Sequence, residues 1–355
     1  RDPSHLVLEC ALQTQPNMVI IGEEVASLGM TLDDIVNEIC DLICLRARHG
    51  KNFGTVLLPE GLITHLTQFR ALIAEMNVFF NKIDKKDRPE ICKKFIHDEN
   101  FVRQHLKSWS AALFNSFPEF MKKGLVIQKR ESFEAIHLSH IETEKLLAHL
   151  VEKEMKKRKA QNQYSGSFAT MSQFFGYQGR CAFPSKFDCN LANTYGYLAG
   201  VLIRHGITGY CVTARGLTSE IDKWYCGGIP LLSMTTISKT KSAYGEGHAI
   251  VASYEVDLKK GPFLELVKQR DNWKLNDYYR NPGPVQFFGP QANILNMTLR
   301  LSHGYYPELI KKIEDLTERI KDKCRFGAPE QILNFAILNL GNLEVGLEMM
   351  KNCIK

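Results

Sequence analysis

The sequence predicts an α/β protein: a doubly wound parallel sheet with a large helical insertion and a C-terminal helical segment. Short apolar runs at residues 17–21 ("NMVII") and 54–58 ("GTVLL") have the composition of buried parallel strands. Helical patterns at 4–14 and 31–52 precede and separate these runs, and this alternation is typical of a doubly wound sheet. Long charged amphipathic stretches from about 63 to 162 predict the insertion.

The ends of the first elements carry recognisable start and stop residues. Ser4 is a candidate N-cap for the first helix, and Thr31 with Asp34 predicts the cap of the second. Basic residues and Gly50 then end that second helix. The carboxyl end of the second strand leads through Pro59 into Glu60 and so delivers a carboxylate into a loop.

The α/β rhythm resumes after the insertion, with "GSFATMSQFFGYQGR" at 166–180, a helix to Gly206 and a strand at 208–214. A Pro/Gly-punctuated crossing segment and a final pair of amphipathic helices follow. These composition changes predict three parts. They are an α/β region at 1–62 plus 163–260, a helical insertion at 63–162, and a crossing segment with C-terminal helices at 261–355.

Composition limits the partners of this 355-residue chain. A formal net charge of +6 is compatible with anionic substrates but far from the dense basic surface of a nucleic-acid-binding protein. No apolar run is long enough to span a bilayer and no signal peptide is present, so we expect a cytoplasmic protein without a membrane partner. Ten cysteines without a CxxC pair or a repeated metal spacing predict reduced, buried thiols.

Three places in the chain carry candidate binding residues. Glu60 follows a strand end, where its carboxylate could accept hydrogen bonds from sugar hydroxyls or could simply cap the next turn. Tyr177 and Arg180 lie in a glycine-flanked loop, where they could bind a phosphate or form an aromatic turn with a surface arginine. Arg1 precedes a helix N-terminus, which suits anions, but a terminal arginine is more simply a chain end.

Five segments in order, "RDPSHLVLECALQTQPNMVIIGEEV", "GTVLLPEGLI", "IETEKLLAHLVE", "FFGYQGRCAFPSKFD" and "YRNPGPVQFFGP", resemble the phosphofructokinase superfamily. The match is to its long, pyrophosphate-dependent, plant-type branch. The resemblance runs from residue 1 to about 340, and the helical insertion lies where that branch carries one. It implies a phosphofructokinase-like fold.

The resemblance also implies binding residues for fructose 6-phosphate. In the family's "MGR" motif only the arginine is present here, and the glutamate of "PEG" binds the sugar. The "YEGR" motif holds the sugar and its phosphate, with glutamine here in place of glutamate. The implied substrate-binding residues are Arg1, Glu60, Tyr177, Gln178, Gly179 and Arg180.

By resemblance, the protein transfers a phosphoryl group from pyrophosphate, or ATP, to C1 of fructose 6-phosphate in glycolysis, using magnesium, as a homo- or hetero-oligomer. The family's donor site, magnesium-binding aspartate and catalytic base all precede "MGR". We therefore expect them upstream of Arg1, with no catalytic residue in this chain and no activity of the chain alone. Segments such as "KWYCGG" look closer to the regulatory α subunit of the heteromeric enzyme, so a sugar-phosphate-binding regulatory subunit is the alternative.

Overall fold

The computed structural model of the chain describes residues 4–84, 86–131, 141–179, 181, 183–237, 249–251, 254–283, 286–289, 292–302, 305–325 and 327–353. Its architecture is mixed α/β and mostly helical. The helices are α1 (His5–Thr14), α2 (Gly22–Leu28), α3 (Leu32–Arg48), α4 (Leu62–His65), α5 (Thr67–Asn81), α6 (Arg88–His97), α7 (Glu99–His105), α8 (Ser108–Ser116), α9 (Glu119–Glu131), α10 (Thr143–Ala160), α11 (Lys186–Arg204), α12 (Gly261–Leu275), α13 (Met297–Ser302), α14 (Tyr305–Lys323) and α15 (Glu330–Cys353). The strands are β1 (Met18–Val19), β2 (Val56–Leu57), β3 (Tyr210–Arg215), β4 (Tyr225–Pro230), β5 (Thr235–Ile237) and β6 (Ala249–Val251).

The first two strands pair in parallel, as the sequence predicted. Met18 lies opposite Val56 and Val19 opposite Leu57, with α2 and α3 forming the connection between them. Helix α2 is not among the elements that the sequence predicts. Glu23 and Glu24 fall in its first turn, where carboxylates favour a helix start.

The later strands pair differently from the predicted doubly wound sheet. The strand expected at 208–214 forms β3, but it runs antiparallel to β4, and β5 runs antiparallel to β6. The described residues therefore form three two-stranded sheets. One continuous doubly wound sheet stays a prediction.

Three of the described N-cap residues are serine or threonine, and two of these three cap their helix through the side chain. Thr31 and Asp34 form the predicted capping box of α3, and Ser185 with Asp188 forms another at α11. Ser4 occupies the N-cap position of α1, but its side chain makes no capping hydrogen bond. The Ser4 hydroxyl is used elsewhere, at the candidate site.

Two apolar cores meet at β1, because successive strand side chains point to opposite faces. Ile20 packs into a large helical core that also contains residues of α3 and α5 to α10, such as Leu72 and Phe114. Val19 and Ile21 pack into a smaller core with α1 and α12, which includes Trp273. The described residues from 62 to 160 form α4 to α10, and their core is continuous with that of α3.

A buried arginine links α3 to the end of α12. The Arg46 side chain is 3% exposed and donates to the Phe53 carbonyl at 3.0 Å and the Lys274 carbonyl at 2.7 Å. It also pairs with Asp277 at 2.6 Å, and Lys51 reaches the other oxygen of that carboxylate at 2.6 Å. The buried charge is thus compensated, as a buried ion requires.

The chain between residues 159 and 236 differs from what precedes it. None of its described residues is buried, although α11 packs on the β3–β4 hairpin. Phe187 of α11 lies edge-on to Trp224, with ring centroids 5.8 Å apart. Thr170 is tied to α10 by hydrogen bonds to Glu152 at 3.0 and 2.5 Å.

Two predictions from composition concern the burial of the cysteines and the absence of a membrane-spanning segment. The nine cysteines whose side chains the structure describes are free, but only Cys40, Cys44 and Cys92 are buried, so burial of most thiols was wrong. Burial raises the pKa of Cys40 to about 12, so this thiol stays protonated at neutral pH. Among the helices that the structure describes, none is long and apolar enough to cross a bilayer.

The Arg46–Asp277 pair predicts an acid-sensitive contribution to stability. The hydrogen bond from Lys51, with that from Arg46, lowers the pKa of Asp277 from 3.8 to about 2. A depressed carboxyl pKa stabilises the fold above pH 3.8, and this stabilisation is lost as the pH falls through 2. We expect Asp277→Asn to lower the free energy of unfolding by about 1–2 kcal/mol at pH 7, measured by urea denaturation, with a smaller difference at pH 3.

The matched control is Asp271→Asn on α12. Asp271 pairs with Lys274 at 2.6 Å, but its side chain is 77% exposed. Exposed pairs contribute little, so this change should cost less than about 1 kcal/mol at either pH. Equal losses in the two variants would contradict a special role for the buried pair.

Candidate functional site

Glu60 lies at the carboxyl edge of the parallel pair β1–β2. It follows β2, is half-buried between buried Pro59 and Gly61, and lies two residues before the start of α4. The Leu62 N–H donates to the Pro59 carbonyl at 3.1 Å, which closes the turn around Glu60. In parallel sheets this edge is where ligands bind, because the strand ends and the helix starts that follow them leave a crevice.

Gly22, which follows β1, lies at the same edge. Residue 22 starts α2, and the ring of His65 from α4 packs directly against it. A Cβ atom at Gly22 would lie 2.3 Å from Cδ2 of His65, closer than any carbon contact permits. Only glycine therefore allows α2 and α4 to approach this closely.

The start of α1 also lies at this edge. The Gly22 N–H donates to the Ser4 hydroxyl oxygen at 2.9 Å. In return, the Ser4 N–H donates to Oε1 of Glu23 at 3.1 Å. We call this pair of reciprocal hydrogen bonds, between Ser4 and residues 22 and 23, the Ser4–Glu23 latch.

Glu23 is the buried charge of the candidate site. The residue is 6% exposed, and its Oε1 also accepts a hydrogen bond from the Val256 N–H at 3.0 Å. Burial would raise the pKa of Glu23, but the Val256 and Ser4 hydrogen bonds outweigh it and hold the pKa below its ordinary value. Glu23 is therefore a carboxylate at neutral pH. Its second oxygen, Oε2, is buried without a hydrogen bond from any described residue.

The predicted Tyr-Gln-Gly-Arg segment lies in a surface turn. Tyr177 is 71% exposed, Gln178 and Gly179 are exposed, and the Gln178 N–H donates to the Phe175 carbonyl at 2.8 Å. Gly176 has φ +49° with Phe174 against it, so a side chain at this position would be strained. The turn therefore needs its first glycine.

The structure thus divides the predicted substrate residues between two places. Glu60 belongs to the ordered edge of β1–β2, while Tyr177, Gln178 and Gly179 belong to an exposed turn in the 159–236 stretch. Arg1 and Arg180 lie outside the described residues. Sequence reasoning missed Glu23 and His65; the available signal was an acidic pair directly after an apolar strand and a glycine.

Comparison with known proteins identifies relatives of the chain. The alpha 2 subunit of pyrophosphate–fructose 6-phosphate 1-phosphotransferase from Arabidopsis thaliana is 38% identical over 342 residues, covering 95% of this chain and 53% of the relative. The beta 1 subunit from the same plant is 37% identical over 305 residues, covering 86% of this chain and 51% of the relative. Pyrophosphate–fructose 6-phosphate 1-phosphotransferase from Treponema pallidum is 38% identical over 299 residues, covering 82% of this chain and 50% of the relative.

The similarity defines the class of the chain: it is a homologue of phosphofructokinase-type phosphotransferases, which confirms the resemblance found in its motifs. In particular, its relatives are alpha and beta subunits of the plant pyrophosphate–fructose 6-phosphate 1-phosphotransferase and a bacterial enzyme of that name. The chain spans about half the length of the curated relatives it matches. No family model matches it.

The close approach of His65 to Gly22 predicts a specific packing defect. Gly22→Ala should lower the free energy of unfolding by about 1–3 kcal/mol, since the new methyl group would overlap the imidazole ring. Replacing the ring as well, in Gly22→Ala/His65→Ala, should cost less than the sum of the two single changes. Chemical denaturation of the four proteins measures this coupling.

Gly227→Ala in β4 is the matched control, because a Cβ there meets no atom within 4 Å. It should change the free energy of unfolding by less than about 0.5 kcal/mol. If the losses in free energy of unfolding at residues 22 and 65 were additive, the two residues would not be in the close contact that the structure shows.

Proposed function

We propose that this chain supplies the fructose 6-phosphate-binding half of a pyrophosphate-dependent phosphofructokinase. The reaction transfers a phosphoryl group from pyrophosphate to the C1 hydroxyl of the sugar. The observation that carries the proposal is the homology to enzymes named for this reaction, over 82% to 95% of the chain. The carboxyl edge of β1–β2, where Glu60, Gly22 and the start of α1 lie, also supports the proposal. Parallel sheets bind ligands at this edge.

In the proposed site, the two arginines bind the 6-phosphate. A guanidinium offers five N–H donors in a planar fork, which matches two phosphate oxygens at once, so Arg1 and Arg180 suit this role. The Tyr177 hydroxyl adds a donor from the exposed turn, with Gln178 and Gly179 shaping the backbone beside it. Glu60 accepts hydrogen bonds from the sugar hydroxyls and orients the sugar so that its C1 hydroxyl can attack the phosphoryl group.

The proposal extends to the organisation of the chain. Residues 1–62 and 163–260 form the sugar-phosphate-binding region, 63–162 the helical insertion, and 261–355 the crossing segment with the C-terminal helices. The names of the relatives favour pyrophosphate over ATP as donor, and their alpha and beta subunits favour an oligomer. We place the protein in the cytoplasm, where the sugar phosphate is metabolised.

A magnesium ion is the cofactor that the resemblance implies. Within the described residues, no group of three or more His, Cys, Asp or Glu side chains is arranged to hold a metal ion.

A regulatory α-type subunit is the second candidate. The Arabidopsis alpha subunit covers 95% of the chain, whereas the beta subunit covers 86%. Such a subunit would bind a sugar phosphate, such as fructose 2,6-bisphosphate, and control a catalytic partner without transferring a phosphoryl group. Pyrophosphate-dependent formation of fructose 1,6-bisphosphate by the complete natural protein in isolation would exclude this candidate.

The proposed phosphate clamp predicts the effect of Arg180→Ala on substrate binding. Losing a charged, bidentate phosphate contact of about 1.5–3 kcal/mol should weaken fructose 6-phosphate binding by about 10- to 100-fold. Calorimetric titration of the complete natural protein measures the dissociation constant, and the steady-state KM should rise with it while the pyrophosphate requirement changes little.

Arg103→Ala is the matched control, an exposed arginine of α7 that pairs with Glu99 at 3.6 Å. Its fructose 6-phosphate affinity should equal that of the unmodified protein. If Arg180→Ala behaves like Arg103→Ala, the turn at 176–179 is an aromatic surface turn and Arg180 is not part of a phosphate clamp.

A further inference from the structure

The last two helices carry large apolar side chains that the rest of the described chain does not cover. In α14, Ile313 is 63% exposed and Leu316 is 50% exposed. In α15, none of the residues 330–346, whose burial the structure describes, is buried. Seven large apolar side chains of this part of α15 are exposed, among them Phe335 at 70% and Ile337 at 69%. A continuous apolar surface of this kind marks an interaction site.

The two helices carry their apolar residues in different arrangements. In α14, Ile313, Leu316 and Ile320 are three and four residues apart with charged residues between them, which gives one apolar stripe. In α15, Phe335 and Ile337 are two residues apart and therefore lie about 200° apart around the helix axis. Exposed apolar residues thus surround α15. A helix with one stripe suits the outside of a bundle, and a helix that is apolar all round suits its interior.

One row of α15 has the spacing by which helices pair. Its members follow one another at intervals of three, four and three residues, as the a and d positions of a heptad do: Leu333, Ala336, Leu340 and Leu343. Leu340 is 45% exposed and Leu343 is 59% exposed. Two helices that carry the same row can interlock their side chains as knobs in holes, so a second copy of α15 offers the matching surface.

Charge and area both fit a second copy of the chain. Residues 331–343 of α15 include no charged residue, so this stretch neither selects a charged partner nor repels its own copy. Nine large apolar side chains are exposed in the described part of α14 and α15. Side chains of this kind bury on the order of 150 Å² each, so nine that are about half exposed offer roughly 700 Å² per copy. A stable interface takes about 800 Å² from each partner.

We propose that α14 and α15 form a two-fold interface between two copies of this chain. The row from Leu333 to Leu343 packs against α15 of the second copy, and α14 covers the pair from outside, so that four helices form a bundle. The charged face of α14 stays in solvent, and burial of the apolar side chains drives association. This inference goes beyond the proposed function and does not depend on it, because it concerns contact between copies and not sugar-phosphate binding.

Leu340→Glu tests the interface by placing a charge in the middle of the row. A buried carboxylate without a partner opposes association, whereas glutamate is a good helix former, so α15 itself persists. We expect the complete natural protein, produced alone, to sediment as a dimer or a larger assembly. Leu340→Glu should sediment at half that mass at the same concentration.

Val78→Glu is the matched control. Val78 is an aliphatic residue of α5 that is 50% exposed, so the change adds the same charge to a helix surface outside the proposed interface. Its sedimenting mass should equal that of the unmodified protein. Leu340→Ala is a second variant for the case in which Leu340→Glu does not fold. It keeps a strong helix former but removes most of the apolar contact, and should raise the dissociation constant between copies by about 10- to 100-fold.

The melting temperature distinguishes a second copy from another part of the same polypeptide as the occupant of this surface. Association between copies makes the melting temperature rise with protein concentration, and this dependence should disappear in Leu340→Glu. An unmodified protein that sediments as a monomer would overturn the proposal. An unchanged mass of Leu340→Glu, with a melting temperature lowered equally at every concentration, would also overturn it and assign α15 to packing within one polypeptide. The masses are measured without fructose 6-phosphate, so failure of the proposed function would not change them.

Discussion

The buried guanidinium of Arg46 is the interaction on which the relative placement of the two cores depends. Arg46 belongs to α3, whose apolar face packs into the large helical core, but its donors reach the Lys274 carbonyl and Asp277 at the end of α12. A lysine could not replace it, because one ammonium group cannot donate in three separate fixed directions along a planar fork. Nearby, Asn17 binds the Thr55 N–H at 3.0 Å and the Trp273 carbonyl at 3.1 Å. These polar contacts fix the amino ends of β1 and β2 against α12.

The candidate site lies at the opposite ends of the same two strands. Because β1 and β2 are parallel, fixing their amino ends also determines where Gly22 and Glu60 emerge. Glycine at residue 22 lets α4 approach, and the Ser4–Glu23 latch brings in the start of α1. The geometry of this edge therefore depends on a backbone framework more than on any one polar side chain. The Tyr177 turn differs, since it lies in a stretch of chain with no buried described residue, which contacts the large core through the partly buried Tyr164 and Phe168.

Local chemistry made part of this structure predictable. Thr31 and Asp34 predicted the start of α3, and the apolar runs before Gly22 and Pro59 predicted a pair of parallel strands. The rest depended on non-local contacts that no short segment encodes. Ser4 looked like a cap but is used by Gly22, eighteen residues away, and β3 looked like a parallel strand but pairs with β4. Glu23 escaped notice because its partner Val256 lies 233 residues along the chain. Glu60 could be named from its motif alone.

The unburied stretch between 159 and 236 also bears on how the polypeptide behaves while it is being made. In the described part of the chain, β3 and β4 pair only with each other, so each presents an open strand edge beside accessible apolar side chains such as Tyr225 and Leu232. Open edges of this kind can recruit strands from other molecules. Yield and solubility during synthesis should therefore depend on the hairpin and α11 more than on the well-packed N-terminal cores. A charged residue on the solvent-facing side of β4 is the natural place to begin improving the material for the experiments above.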